Sequence, residues 1–493
     1  MPKKKYKFRL FSAVLATVCI ILVADAVAPT ASIGNSMYVW WAIMLIGFFV
    51  PYALISAELG TQYPSEGGMY TWIKKAFGKK WAARVAWFYW VNFPLWIASL
   101  AALITSLIVT MATGYEMLLW QDLLIQLGYV VLVSVLGTLR ISQSDWVANI
   151  GAIIKIAILG GIGALGIYIL INQGSANPIE GWQDFVPLAS ADGGIDWAGL
   201  GFVSLIIFNM LGFEVVGTFY DDMDKPKKQI PIAIILGGIL IAIFYILPSF
   251  AIGVGTNFAE ISPDTGLLDT WQILMANAGI DPVVLDNIVA TVGTLFIVTL
   301  ISNVSSWTFG VYSVTAYAAE DGAFPKSWAK RNKNGVPYVV SIWTGVIAAI
   351  LVVAGIFVTY ILPEMGVDPE FLEGFSNMFW AFFSLSLVCL LLSYIPMFAA
   401  FIKLHKNGPQ VKNGYWLKIG PVLKWLMGIV PLLLLMIALF FTLVLYPDDL
   451  ALTWEENNVL IISTVVCIVV GELMVLNMAR KDHKKKIAKK SKR

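Results

Sequence analysis

The chain has 493 residues, of which 59% are hydrophobic and only 13% are charged, with a formal net charge of +2. Soluble globular domains carry roughly 25% charged residues, so this composition excludes a soluble protein and indicates many membrane-spanning segments. The three cysteines lack paired spacing and the two histidines lie in basic, polar stretches. They predict no disulfide framework, no metal site and no histidine-based catalysis.

A hydropathy window of about 19 residues predicts twelve membrane spans. They begin near residues 10, 38, 85, 121, 146, 197, 230, 285, 338, 375, 421 and 457. The first span is too long for a signal-peptide core and has no small-residue cleavage pattern after it, so we expect a retained helix.

Charge alternates between the predicted loops. Lysine and arginine precede the first span, follow every even-numbered span and fill the tail, whereas the other loops are acidic. The positive-inside rule therefore places both termini in the cytoplasm of a multi-pass protein. Because the basic tail directly follows a membrane span, it is expected to contact anionic lipid rather than nucleic acid.

Four charged residues fall within the predicted spans. They are Asp25, Glu58, Lys155 and Glu214. A charge at the centre of a span costs roughly 2.5–3.5 kcal/mol on insertion scales, so such residues usually serve a function. Pro29 follows Asp25, and Gly212 and Gly217 flank Glu214 and permit unwinding. This correspondence, five helices apart, indicates inverted repeats whose discontinuous helices meet at a midplane binding site. For Glu214, the alternative is a carboxylate that helix-end donors satisfy without any ligand.

Three motifs resemble those of the amino acid/polyamine/organocation transporters. The first is residues 56–72; the second joins residues 212–214 to residues 224–226 and 230–231; the third runs from residues 318–325 to residues 332–337. Within that family, the chain looks most similar to bacterial exchangers of the glutamate/GABA and agmatine/putrescine types. The sequence is therefore identified as a member of this family.

The resemblance implies an all-α, LeuT-like fold of twelve transmembrane helices in a bacterial plasma membrane. The first inverted repeat would span residues 10–172 and the second residues 197–402, with two peripheral helices within residues 418–479. Residues 1–9 and 480–493 would be basic cytoplasmic ends. Neither a cofactor nor an enzymatic reaction is expected.

One departure from the family narrows the substrate. Many members have a glycine-serine-glycine break in helix 1, whose free amides bind the substrate carboxylate. Here Leu22, Val23 and Ala24 stand at that place and Asp25 follows. A fixed carboxylate repels a substrate carboxylate and attracts an ammonium or guanidinium group. We therefore expect Ala24 and Asp25 to line a site for a cationic amine.

The resemblance also indicates aromatic residues of the binding site. Phe208 and Trp307 match gating and pocket tryptophans of the arginine/agmatine exchangers, and Trp90, Asn92 and Trp96 on helix 3 have spacings that suggest one shared face. An aromatic face close to a desolvated cation can contribute about 2 kcal/mol. For the three helix 3 residues, packing or lipid contact is the alternative.

Lys155 looks similar to a helix 5 lysine that takes the place of sodium in some family members. Glu58 is expected to be a charged residue with a coupling or a structural role. The alternative for Lys155 is a lysine that titrates a proton. Together these residues predict sodium-independent exchange of agmatine, putrescine or a related decarboxylated amino acid by alternating access between helices 1, 3, 6 and 8. The alternative function is an amino acid permease or antiporter, for glutamate/GABA or for neutral or aromatic amino acids, with or without proton coupling.

Overall fold

The computed structural model describes residues 9–23, 33–112, 117–139, 141–187, 198–258, 266–367, 378–444 and 454–490, together with Val27 and Ala31. Ala24, Asp25 and Pro29 fall outside the described residues. Within the described ranges the chain is helical, with short turns and loops between the helices.

We number fifteen helices in these ranges. They are α1 (Leu10–Ile21), α2 (Gly34–Gln62), α3 (Gly68–Phe77), α4 (Lys79–Met111), α5 (Leu119–Leu136), α6 (Ile141–Gln173), α7 (Ala198–Phe208), α8 (Phe213–Thr218), α9 (Pro226–Gly255), α10 (Leu267–Asn277), α11 (Pro282–Glu320), α12 (Tyr338–Glu364), α13 (Met378–His405), α14 (Pro421–Val444) and α15 (Trp454–Lys490).

Ten of the described helices are long and apolar enough to cross a membrane. They are α2, α4, α5, α6, α9, α11, α12, α13, α14 and α15. Each begins close to a predicted span, so ten of the twelve predictions have a matching helix. The first and sixth predicted spans correspond to the shorter apolar helices α1 and α7–α8. Twelve complete crossings remain a prediction.

The sixth span is interrupted, as its sequence predicts. Helix α7 ends at Phe208 and α8 begins at Phe213, and Gly212 between them has a φ of 129°. L-residues with a side chain avoid such positive φ values, so glycine suits this turn. The predicted unwinding does not occur at Gly217, which lies inside α8. A Cβ on Gly217 would lie 3.4 Å from the Cα of Gly60, so the two glycines instead let α8 pack closely on α2.

Helix α1 ends in the protein interior. It packs against α6, α9 and α11, and all its residues from Leu15 to Ile21 are buried. The chain leaves the helix at Leu22, which has an extended backbone with φ −69° and ψ 108°. Helix α4 packs against α11 and α13. The ends of two short helices thus meet in the middle of the bundle of long ones.

Candidate substrate-binding site

A small cavity lies where α1, α4, α7, α11 and α13 meet, and its free volume is only about 10 Å³. Its lining residues are Ile20, Val23, Asn92, Trp96, Phe208, Leu211, Trp307 and Leu390. Four of the predicted site residues, Asn92, Trp96, Phe208 and Trp307, are therefore brought together. A cavity needs roughly 10–15 Å³ of such volume to hold one water molecule, so the described conformation is closed around the site.

Aromatic rings form much of the cavity wall. The ring of Trp96 lies 6.0 Å from that of Trp307 at 78°, and 6.2 Å from that of Phe208 at 79°. Phe208 in turn rests edge-on against Phe383, with ring centroids 5.0 Å apart. Edge-to-face arrangements of this kind are favoured by aromatic pairs. The wall can offer cation–π contacts to a positively charged group.

The carbonyl groups at the end of α1 are bound by side chains from neighbouring helices. A helix leaves its last four carbonyls without backbone partners. Lys155 Nζ donates to Cys19 O at 2.9 Å and also to Leu22 O, while Trp307 Nε1 donates to Ile20 O at 2.8 Å. The Asn303 amide donates to Cys19 O at 2.5 Å. The cationic lysine also complements the negative end of the helix dipole.

Tyr245 on α9 connects the two interrupted segments. Its hydroxyl lies 3.0 Å from Ile21 O and 2.6 Å from Asn209 O, and it accepts a hydrogen bond from Val23 N at 2.9 Å. Because a hydroxyl has one proton, it donates to one of the two carbonyls at a time. This single side chain thereby fixes the end of α1 against the end of α7.

Glu214 lies in a cage of tyrosines. Its carboxylate accepts hydrogen bonds from the hydroxyls of Tyr89 and Tyr394, each at 2.6 Å, and from that of Tyr52. The Tyr52 hydroxyl also accepts from Gly212 N at 2.9 Å, so it joins the carboxylate to the backbone of the break. Glu214 is not among the residues that line the cavity. Three side-chain donors from α2, α4 and α13, rather than helix-end amides alone, satisfy this buried group.

Asn209 is a polar residue at the break that the sequence analysis did not single out. It is completely buried, and neither polar atom of its side-chain amide has a hydrogen-bond partner within the part of the chain that the structure describes. Buried amides are nearly always hydrogen-bonded to protein or water. Its neighbours Phe208 and Leu211 line the cavity, so a ligand or a water molecule there could supply the missing partner.

Two other predicted residues lie away from the cavity. Trp90 donates its indole N–H to Thr344 at 3.0 Å and packs edge-on against Trp328, so the prediction of one face shared with Asn92 and Trp96 is wrong for Trp90. Residues two and six positions apart on a helix point about 200° and 240° away, which explains the error.

Glu58 also has a role distant from the cavity. Its carboxylate is fully buried and lies 2.8 Å from Nδ1 of His405, and it accepts from Leu417 N at 2.9 Å. It therefore ties α2 to the end of α13 and to the loop that follows. His405 is stacked on Trp416 with ring centroids 4.2 Å apart, and no sequence signal predicts it beside a buried charge.

Comparison with known proteins identifies the family. A family model described as "Amino acid permease" matches residues 8–469, which is nearly the whole chain. The chain belongs to the amino acid permease family. The resemblance to the amino acid/polyamine/organocation transporters is thereby confirmed.

Curated relatives of this permease include two transporters of Lactococcus lactis subsp. lactis (strain IL1403). This permease is 40% identical over 478 residues to the "Probable agmatine/putrescine antiporter AguD", and the match covers 96% of each chain. It is 24% identical over 431 residues to the "Glutamate/gamma-aminobutyrate antiporter", covering 85% of this chain and 80% of that one.

A solved structure supports the fold of the permease. The Eremococcus coleocola manganese transporter, crystallised with an aromatic bis-isothiourea compound, matches with a TM-score of 0.54. The match covers 95% of this chain and 94% of that one at 15% identity. The likeness concerns the fold alone, and it confirms the predicted all-α, LeuT-like architecture.

Proposed function

We propose that this permease exchanges cationic amines across the bacterial plasma membrane, with agmatine and putrescine as the substrate pair. The observation that carries the proposal is the 40% identity, over 96% of both chains, to a relative named as a probable agmatine/putrescine antiporter. The family and the transmembrane helices support transport rather than an enzymatic reaction.

The cavity has the chemistry that such a substrate needs. Phe208, Trp96 and Trp307 present aromatic rings, and Asn92 adds a polar side chain. Asp25 follows the lining residue Val23 by two positions in the sequence. We assign its carboxylate to the ammonium or guanidinium group of the substrate, since charge-assisted hydrogen bonds are about twice as strong as neutral ones.

Alternating access follows from the two interrupted helices. The broken segments would rock against the surrounding long helices, as in other transporters built on inverted repeats. Agmatine and putrescine are both dications near neutral pH, so a one-for-one exchange would move no net charge. Both substrates could then use the same site, and the membrane potential would neither drive nor oppose their exchange.

The test is exchange by the purified permease in liposomes. Vesicles loaded with putrescine should take up external labelled agmatine, and an imposed potassium diffusion potential should leave the rate unchanged. Asp25→Asn should abolish uptake, because the cation would lose its only assigned counter-charge. Asp286→Asn is the matched control, since Asp286 is exposed on α11.

Two outcomes would separate the parts of this proposal. Full exchange by Asp25→Asn would overturn the role of Asp25 while leaving amine exchange intact. A thermal-shift screen in which glutamate stabilises the protein, and agmatine, putrescine, cadaverine and tyramine do not, would overturn the amine substrate and favour the amino acid alternative.

A further inference from the structure

A basic cleft lies far from the substrate cavity, between the start of α4 and the end of α15. Its volume is about 640 Å³ and it is open to the surroundings. Its lining residues are Phe77, Gly78, Lys79, Lys80, Trp81, Arg84, Met478, Ala479, Asp482 and His483. Basic residues at the start of α4 and near the end of α15 flank the apolar stretches of both helices, so we place the cleft at the level of the membrane surface.

Positive charge is in excess in this cleft. Lys79 pairs with Asp482 at 2.7 Å, and Arg84 makes a bidentate pair with Glu472. Lys80 is exposed, and the described residues provide no ion-pair partner for it. The exposed residues Arg480, Lys481 and Lys484 follow along α15. The cleft is therefore electrostatically complementary to an anion.

The surroundings of the cleft are apolar on the membrane side. Only 17% of the membrane-crossing stretch of α15 is buried, and its side chains Leu473 and Leu476 are 60% and 51% exposed. Trp81 at the cleft is half exposed and lies 5.0 Å from the Arg84 guanidinium. Tryptophan prefers the membrane interface, where one side is apolar and the other is wet. A ligand that fits here has a negative head and apolar chains.

We propose that this cleft binds the headgroup of one anionic phospholipid, with Lys80 as the principal free cation and the acyl chains along the exposed face of α15. Basic pockets between transmembrane helices are suited to such headgroups. The bound lipid would join α15 to α4, the helix that also carries Asn92 and Trp96 to the substrate cavity. The lipid would thus stabilise the peripheral helix α15 against a helix that lines the substrate cavity.

The test uses the full-length protein purified in a neutral detergent and titrated with phosphatidylglycerol. Binding is measured by native mass spectrometry and by the thermal midpoint. Phosphatidylglycerol should bind and raise the midpoint, whereas phosphatidylcholine should not. Lys80→Gln should weaken the apparent affinity for phosphatidylglycerol by about fivefold, the effect expected of one basic residue near an anionic headgroup.

Two further variants make the test specific to this cleft. Asp482→Asn should bind phosphatidylglycerol more tightly than the wild type, because it removes the lining carboxylate and releases Lys79. Lys330→Gln removes an exposed lysine elsewhere on the molecule and should bind as the wild type does.

Several results would overturn the proposal. They are an equal response to phosphatidylcholine, unchanged affinity in Lys80→Gln, weaker binding in Asp482→Asn, or an effect that inorganic phosphate alone reproduces. The last result would point to a free anion rather than a lipid.

Discussion

In the tyrosine cage around Glu214, single hydroxyl groups hold a buried carboxylate. Removing one donor from a buried acceptor typically costs about 1–3 kcal/mol. Tyr394→Phe deletes a hydroxyl that donates to the carboxylate at 2.6 Å. We expect a lower thermal midpoint in detergent and slower exchange in liposomes.

The matched control for that substitution is Tyr129→Phe. The Tyr129 hydroxyl is also buried, but it has no hydrogen-bond partner in the portion of the chain that the structure describes. Its removal should leave stability unchanged or raise it, since an unpaired buried hydroxyl is unfavourable. An equal loss in both variants would contradict a specific role for the cage.

Gly212 is the second residue on which the site depends. An added Cβ would lie 2.7 Å from Ile20 and 3.2 Å from the indole of Trp307, at a φ of 129° that disfavours other residues. We expect Gly212→Ala to abolish exchange, because the clash displaces two cavity-lining residues. Thermal shift by agmatine measures whether the cavity still binds.

Gly408→Ala is the control that separates backbone strain at a positive φ from the steric clash of the added Cβ in Gly212→Ala. Gly408 also has a positive φ, of 72°, but a Cβ there would meet nothing within 4 Å. This control should cost only about 1 kcal/mol of backbone strain and keep exchange. Normal agmatine binding by Gly212→Ala would show that the close approach is unimportant.

At the scale of elements, α3 is held against the end of α11 by one carboxylate. Asp321 accepts from Lys74 and from Tyr70, each at 2.5 Å. Burial alone would raise the pKa of Asp321, but the bonds from Lys74 and Tyr70 outweigh it and the pKa lies below its ordinary value of 3.8. The contact therefore stabilises the protein at neutral pH and is lost as the pH falls through the depressed folded pKa.

Asp321→Asn tests this connection. The variant should have a lower thermal midpoint than the wild type at pH 7. The difference should begin to shrink below about pH 4, where the carboxylate of the unfolded chain takes up a proton, and should be lost as the pH falls through the depressed pKa of the folded state. Midpoints measured from pH 7 to pH 3 check the prediction, with Asp286→Asn as the control. A constant difference over that range would contradict it.

At the scale of the whole molecule, Lys155 links α6 to the end of α1 in the interior. Its ammonium donates to Cys19 O and Leu22 O. We propose that it takes the place that a sodium ion would otherwise occupy. We expect exchange by the wild type to be equal in sodium, potassium and choline buffers. Lys155→Met should lower exchange at least about tenfold, since Leu22 O and Cys19 O lose the charged donor and Cys19 O keeps the Asn303 amide.

Lys326→Met is the control, because Lys326 is an exposed lysine outside the spans. Sodium-stimulated exchange by the wild type would contradict the assigned role of Lys155.

Much of this architecture could be predicted from the sequence. Long apolar runs define the spans, and Gly212 marks the break of the sixth one, because both signals are local. Phe208 and Trp307 were predicted from the family resemblance and Trp96 from its spacing on helix 3, and the three do meet at one cavity.

The cage and the helix-end contacts could not be predicted in the same way. Tyr52, Tyr89 and Tyr394 come from three helices, and a tyrosine in an apolar span is compatible with many environments. Asn303 and Tyr245 bind backbone atoms distant in sequence, and no motif signals such contacts. By contrast, the 3.6-residue period of a helix already places Trp90 on a different face from Asn92 and Trp96, so the predicted shared face could have been rejected from the sequence.

The end of α1 has a consequence for how substitutions combine. Its carbonyls are bound by side chains of α6, α9 and α11, so three distant stretches of sequence act on the same few atoms. Effects of mutations at such a shared point are not expected to add. Second-site suppressors of a defect near residue 22 should therefore arise on those three helices more often than beside the original change.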